Sequence, residues 1–295
     1  MTENSPTYRL GVDIGGTFTD IVLGGADGVA RTIKVASTTA DYSIGIVEGI
    51  SSLLNQHDIP SVSVDELVHA TTVATNAILE EKGVKTGLIT TRGFRDVLEL
   101  RRLRVPELYN ISYRPPRPLV DRRLRLGVVE RMGADGNIVS ALDEDSVRLA
   151  IDRLVVEGVE AVAVCLLHSY LNPEHERRVG EMVREYMPDT FLSLSVDILS
   201  EVREYERTST TVINSYIGPI IERYLKSLDE RLTESRVNVP LRVMQSNGGV
   251  MSARRACVSP AYMVESGPAA GVIAAQRLAE RLGIGNLITF DMGGT

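Results

Sequence analysis

The chain has no tryptophan, only four phenylalanines, two cysteines and four histidines in 295 residues. Two cysteines, Cys165 and Cys257, make neither a disulfide framework nor a thiolate metal cluster. Cys165 lies in the apolar run AVAVCLL and reads as a core residue. His168 and His175 lack the H-E-x-x-H spacing, so no zinc site is expected. No apolar run approaches the roughly 18 residues of a membrane span. The opening residues MTENSPTYR carry no apolar signal region, and a cytoplasmic location is the expectation. Positive charge is also short. A net charge of -7 argues against nucleic acid or an anionic membrane as the main partner. The G-x-x-x-x-G-K-[ST] phosphate loop is missing, and no G-x-G-x-x-G follows a strand.

What is present is an ordinary globular balance of 43% hydrophobic and 24% charged residues, enough for one large or two medium domains. Residues 8–13, 18–23 and 30–36 read as a three-strand meander with glycine turns between them. A helix follows with Ile44, Val47, Ile50 and Leu54 on one face. ELVHATT reads as a strand entering a helix at 73–81, KTGLITT as a strand, and GFRDVLELRR as a helix. RPPRP breaks the pattern, and a hairpin turning near Asp135 and Gly136 comes next. Strands and helices then alternate, with a long helix over 203–234 broken near Gly218 and Pro219, and a final strand NLITFD. The alternation indicates an α/β fold with a largely parallel sheet. The divisions expected are 1–103, an inserted or associated α/β segment at 104–200, and 201–295.

Two loops stand out near opposite ends of the chain. GVDIGGTFTD (residues 11–20) and FDMGGT (residues 290–295) each put an Asp after an apolar strand, then one apolar residue, two glycines and a threonine. Gly15 and Gly16 let the backbone approach a phosphate, Thr17 and Thr19 offer hydroxyl donors, and Asp13 can hold a hydrated magnesium. Asp291, Gly293, Gly294 and Thr295 repeat the arrangement. Either loop alone is also an ordinary hairpin turn. The pair suggests two phosphate loops facing one cleft.

At this point the sequence resembles the actin-like (ribonuclease H-like) ATPase superfamily, in which two related domains each supply such a loop. ESGPAAGVIAAQRLAERLG (residues 265–283) is similar to that superfamily's interdomain helix, with Ala269, Ala270, Gly271, Ala274 and Ala275 allowing a second helix to approach. HATTVATNAILE (69–80), GFRDVLELRR (93–102), CLLHSYLNPEHE (165–176) and QSNGGVMS (245–252) resemble, in that order, the hydantoinase A / 5-oxoprolinase family. The resemblance covers nearly the whole chain. It implies ATP and Mg2+ as cofactors and phosphorylation of an inert carbonyl oxygen. The substrate implied is a cyclic amide such as a hydantoin, 5-oxoproline or a lactam. A hydantoinase B-like second subunit is also implied. The alternatives are the ATP-using subunit of an acetone-type ketone carboxylase and a nucleotide-switched, chaperone-like binding module.

The catalytic candidates are Asp13, Asp291 and Glu265, with Asp13 and Asp291 as metal ligands. Glu265 also reads as a helix-start carboxylate meeting the helix dipole. His69, Thr71, Thr72, Thr75 and Asn76 form a polar cluster at a strand-to-helix junction and are the substrate candidates. Helix capping by the threonines and a core-satisfied His69 is the competing reading. Arg95, Asp96, Arg101 and Arg102 read as a solvated helix face before a pocket wall. Members of the family are longer, and this sequence stops inside FDMGGT. The expectation is a fragment or truncated product lacking the adenosine-binding segment, binding ATP weakly and not turning it over.

Overall fold

The computed structural model describes residues 7–25, 27–38, 41–103 and 109–292. The chain begins with an antiparallel meander, β1 (Tyr8–Ile14), β2 (Phe18–Gly25) and β3 (Ala30–Ala36). Alternation sets its faces. Leu10, Val12, Ile14, Thr19, Ile21 and Leu23 point into the core, so Asp13 and Asp20 point the other way. Helix α1 (Tyr42–Gln56) starts at Asp41, whose carboxylate accepts from the Ser43 N–H at 3.0 Å. The helix packs on β3 and β2 through Ile46, Ile50, Leu53 and Leu54. Ile44 and Val47, expected on that face, are only half-buried, because the stripe is rotated toward Ile46 and Leu53. Strand β4 (Val64–Thr71) then lies parallel to β1, and α2 (Val73–Leu79) follows at once.

The next stretch builds a second sheet. Strand β5 (Thr86–Thr91) is followed by α3 (Val97–Leu100), β6 (Arg125–Val128), and the hairpin β7 (Arg131–Met132) and β8 (Ile138–Ser140). After these come α4 (Glu144–Glu157), β9 (Ala161–Cys165), α5 (Glu174–Tyr186), β10 (Phe191–Leu194) and α6 (Ser195–Ile198). The helix expected over GFRDVLELRR shrinks to the four residues of α3, since Arg101 and Leu103 adopt left-handed φ of 56° and 54° that end it. The sheet order is β10-β9-β5-β6, all parallel. Leu88, Ile89, Val162, Val164, Ile151 and Val179 fill its core.

Helix α7 (Glu204–Glu234) runs unbroken with Pro219 inside it, so the expected break at Gly218 and Pro219 does not occur. The helix is anchored on both sides of the proline by buried Val212, Ile217, Ile221 and Leu225. Strand β11 (Leu241–Met244) pairs parallel to β4, β12 (Val250–Ser252) folds back on it, and α8 (Ala253–Val258) and α9 (Ser266–Leu282) complete the chain. The first sheet therefore reads β12-β11-β4-β1-β2-β3. Residues 286–291 form no strand, because NLITFD pairs with no neighbour among the described residues and leaves Ile288 and Phe290 exposed. Helix α9 packs on β4 and β11, and a Cβ on Gly271 would meet nothing within 4 Å. The small-residue face expected to receive a second helix is open at Gly271 among the described residues.

The chain divides into two compact units, residues 1–82 with 220–295, and residues 83–219. These divisions differ from those expected at 103/104 and 200/201. The reason lies in pairing: β5 forms ladders with β6 and β9, which carries residues 86–91 into the second unit.

Candidate active site

The first unit holds a cleft of about 650 Å³ where the carboxyl end of β1, the start of α2 and the amino end of α9 meet. Asp13 and Asp291 both line it. Asp13 comes to the cleft by parity, since its neighbours Val12 and Ile14 are in the core. It stands directly opposite Asp20 on β2, which is paired across to Lys34 on β3 at 2.6 Å. The Asp13 carboxyl reaches solvent but is walled by protein. Partial burial, then the charges of Asp20 and Asp291, push its pKa up, and Lys34 offsets this in part. A bound cation would relieve that repulsion.

The turn after β1 is held from behind. The Gly15 N–H donates to Phe18 O at 2.9 Å, Ser37 Oγ donates to Gly15 O at 2.8 Å, and Ser37 N–H donates to Thr17 O at 2.9 Å. A Cβ on Gly15 would sit 3.2 Å from Phe18 O, so the tight turn favours glycine. The Gly16 and Thr17 N–H groups and the Thr17 hydroxyl make no hydrogen bond among the described residues, and both residues line the cleft. Opposite them is the start of α9, where Gly267 and Pro268 line the wall. Pro268 has no N–H and the Ala269 N–H donates to Glu265 O at 3.2 Å, which leaves the Ser266 and Gly267 N–H groups to favour an anion there. Gly267 lacks the side chain that would narrow this approach, for its Cβ would lie 3.7 Å from an Asp13 carboxylate oxygen. These unengaged donors and two convergent carboxylates fit a magnesium-bound polyphosphate. Among the described residues no three or more His, Cys, Asp or Glu gather to hold a metal, so phosphate and water would complete the shell of any cation at Asp13.

Several candidate residues turn out to build the cleft rather than face its contents. Thr75 Oγ1 accepts from the Glu265 N–H at 2.9 Å, and Ser266 Oγ donates to Thr71 O at 3.1 Å. Together they stitch the start of α9 to β4 and α2. Thr71 itself is buried, with Oγ1 accepting from the Val73 N–H at 3.1 Å. Thr72 Oγ1 donates to Ile14 O at 3.1 Å and accepts from Asn76 Nδ2 at 3.3 Å. Thr72, Thr75 and Asn76 line the cleft. His69 does not: it shares parity with Leu67 and lies in the core between Val12 O and the Tyr224 hydroxyl. Thr19 is likewise buried, with its hydroxyl 3.0 Å from Ser37 Oγ. Glu265 is exposed, caps nothing with its side chain, and holds a left-handed φ of 60° at the start of α9. Gly293, Gly294 and Thr295 lie outside the described residues.

Sequence reasoning missed Tyr42, Glu80 and Lys82, which also line the cleft. Lys82 pairs with Glu80. No motif marks these residues; they arrive there because α1 and α2 both end or begin beside β1. In the second unit, Arg101 and Arg102 hold Tyr205 and Glu206, and Arg122 holds Asp96, so these charges are engaged in surface pairs. His175 Nδ1 and the Thr91 hydroxyl both engage the buried Glu130.

A meander of three antiparallel strands, a helical crossover to β4 beside β1, and β11 beyond it define a ribonuclease H-like, actin-like ATPase fold, here interrupted by an α/β insertion between α2 and β11. Within that class the chain belongs to the hydantoinase/oxoprolinase family. The family's N-terminal region matches residues 9–187, and its hydantoinase/oxoprolinase region matches residues 207–295. The caprolactamase alpha subunit of Pseudomonas jessenii is 38% identical over 98% of this chain. The solved ATP-dependent caprolactamase of that organism superposes with a TM-score of 0.84, at 37% identity, over 97% of this chain and 42% of that one. A nucleotide-free acetone carboxylase structure also gives 0.84, at 31% identity, over 95% of this chain and 41% of that one. The 5-oxoprolinase of Saccharomyces cerevisiae is 31% identical over 97% of this chain. The chain spans 42% of the length of the caprolactamase subunit and 25% of that of the oxoprolinase. No helix among the described residues is long and apolar enough to cross a membrane.

Proposed function

We propose that the whole protein is a cytoplasmic, ATP-dependent hydrolase subunit that phosphorylates and opens a small cyclic amide. The observation that carries this reading is the convergence of Asp13 and Asp291 on one cleft with the unengaged Gly16 and Thr17 N–H groups and the α9 amino terminus. Asp13, with Asp291 near it, would hold Mg2+, and the two loops and the helix start would hold the phosphates. Magnesium supplies charge neutralisation for phosphoryl transfer. The amide oxygen attacks the terminal phosphorus and ADP leaves. Water then adds at the activated carbon, the C–N bond breaks to leave an acyl phosphate, and a second water releases phosphate. The sum is cyclic amide, ATP and two waters in; amino acid, ADP and phosphate out. Thr72, Thr75 and Asn76, which line the cleft, would meet the substrate oxygen beside the phosphate. A hydantoinase B-like second subunit completes hydrolysis, in keeping with the relatives that are named as subunits.

The equal structural likeness to acetone carboxylase supports a second reading, in which the activated oxygen belongs to a ketone and bicarbonate supplies the new carbon. The test is phosphate release from ATP by the whole protein with its partner, against hydantoin, 5-oxoproline, a lactam, and acetone with bicarbonate. Release driven by a cyclic amide supports the first reading, and release driven only by the ketone supports the second. Turnover that ignores all four and responds to peptides overturns both.

A further inference from the structure

Two side chains on the α2 wall of the cleft have hydrogen-bonding directions fixed by their neighbours. The Thr72 hydroxyl gives its one proton to Ile14 O at 3.1 Å, so toward Asn76 its oxygen can only accept. The Asn76 atom 3.3 Å from that oxygen is therefore Nδ2, and Oδ1 lies on the other branch of the carboxamide. Asn76 follows Thr72 by one helical turn, and its backbone N–H donates to Thr72 O at 2.8 Å, which holds the pair in register. Asn76 lines the cleft, and its Oδ1 has no partner among the described residues.

Thr75 is set in the same manner. Its Oγ1 accepts from the Glu265 N–H at 2.9 Å, and its hydroxyl proton has no acceptor among the described residues. Thr75 also lines the cleft. This wall thus offers one oriented acceptor, Asn76 Oδ1, beside two donors, the Thr75 hydroxyl and the second Nδ2–H of Asn76. The complement is an N–H next to a C=O on one edge, which a small ring imposes by holding its amide cis. A ketone or a lactone has the carbonyl but no N–H. Either would turn carbon or an oxygen lone pair toward Oδ1 and leave that acceptor unsatisfied.

Resting on the amide reading of the cleft, we propose that Asn76 determines specificity: its Oδ1 accepts the ring N–H and selects a cyclic amide unsubstituted on nitrogen over the matching lactone, ketone or N-alkylated ring. Thr75 donates to the ring carbonyl. The same contact assists the reaction. As the amide oxygen attacks, the O–P bond forms, the bond from phosphorus to the ADP oxygen breaks, and that electron pair leaves with ADP. The ring nitrogen shares its lone pair with the carbonyl carbon, becomes more positive and keeps its proton. Its hydrogen bond to Oδ1 therefore strengthens in the transition state.

Calorimetry on the whole protein with its second subunit, with magnesium and ADP present, tests this on matched rings. The pairs are 2-pyrrolidone with γ-butyrolactone and ε-caprolactam with ε-caprolactone, in which a ring oxygen replaces N–H. At least one lactam is expected to bind about tenfold more tightly than its lactone, the effect of one acceptor left unsatisfied. Asn76→Ala removes the preference by weakening the lactam. Asn76→Asp keeps an acceptor but cannot donate to Thr72, and it retains the preference; a residue that only anchored Thr72 would lose it in both variants. Lactam and lactone bound alike, a preference that survives Asn76→Ala, or one lost in Asn76→Asp overturns the inference and leaves the amide reading standing. Rejection of both lactams while ADP binds overturns it too, and cyclopentanone binding in that case overturns the amide reading as well. Failure of ADP to bind overturns the phosphate cleft itself.

Discussion

The Tyr224 hydroxyl donates to His69 Nε2 at 2.5 Å, while His69 Nδ1 lies 3.3 Å from the carbonyl of Val12, the residue before Asp13. A carbonyl only accepts, so Nδ1 carries the proton and the ring is neutral. The imidazole thus ties the end of β1 to α7 from inside the core, behind the cleft.

That arrangement makes stability depend on pH. Burial holds the His69 pKa down at about 4, against 6.5 for the free side chain, despite the bond to Val12. The unfolded chain takes up a proton as pH falls through 6.5, and the folded chain does not until about 4. Stability is therefore full above the higher value and is lost progressively below it. The loss from pH 7 to pH 5 is expected to be about 2 kcal/mol, from the linkage of about 1.4 kcal/mol per pKa unit. Urea unfolding at both pH values measures it, and His69→Gln should flatten the difference. An equal slope in the variant would assign the effect to other groups.

Asp13→Asn is expected to abolish ATP turnover and leave the fold intact. The folded pKa of Asp13 is raised, so at neutral pH its charge is disfavoured in the folded state. Removing the charge should raise the thermal midpoint slightly at pH 7 and have less effect at pH values below the raised pKa. Turnover that persists at saturating magnesium would show that the loop is only a turn.

Gly267→Ala separates space from stability. The new methyl would meet Thr72 Cγ2 at 3.5 Å and an Asp13 carboxylate oxygen at 3.7 Å, which are ordinary contacts. The thermal midpoint should stay within a degree or two, since surface-accessible changes of this kind shift stability by roughly 0.5 kcal/mol or less. Nucleotide affinity should fall about tenfold, because the methyl occupies the approach to the α9 amino terminus. Unchanged ADP binding by calorimetry would move the phosphate away from α9.

In the second unit, Glu176→Ala should be costly. The Glu176 carboxylate is fully buried and accepts from the N–H groups of Leu166 and Val196, at 2.8 and 2.9 Å, and from Ser195. Ser195 also receives Arg207, itself 1% exposed and stacked over Tyr170. Removing the carboxylate leaves the Leu166 and Val196 N–H groups buried without their acceptor, at a cost of about 1–3 kcal/mol each. A loss of unfolding free energy below about 1 kcal/mol would show that these groups find other partners.

The sequence alone determined the meander, the alternation of later strands and helices, and the two Asp-Gly-Gly loops. Each is a local pattern: period-two burial, glycine where the chain must turn, and a helix starting at Asp41 or Asp143 because a carboxylate caps it. The same parity that sends Asp13 outward sends Thr19, His69 and Thr71 inward, so their absence from the cleft was legible from Ile21 and Leu67 on their own strands. Tertiary structure decided what no local pattern encodes. It continued α7 through Pro219, because buried residues on both sides outweigh one lost hydrogen bond. It left NLITFD without a ladder, since a strand exists only with a partner. It also brought Tyr42, Lys82 and Gly267 together, residues far apart in the chain, because β4 lies beside β1 and α9 lands on β4. Proximity of that kind is a property of strand order, and strand order follows from which faces can be buried together.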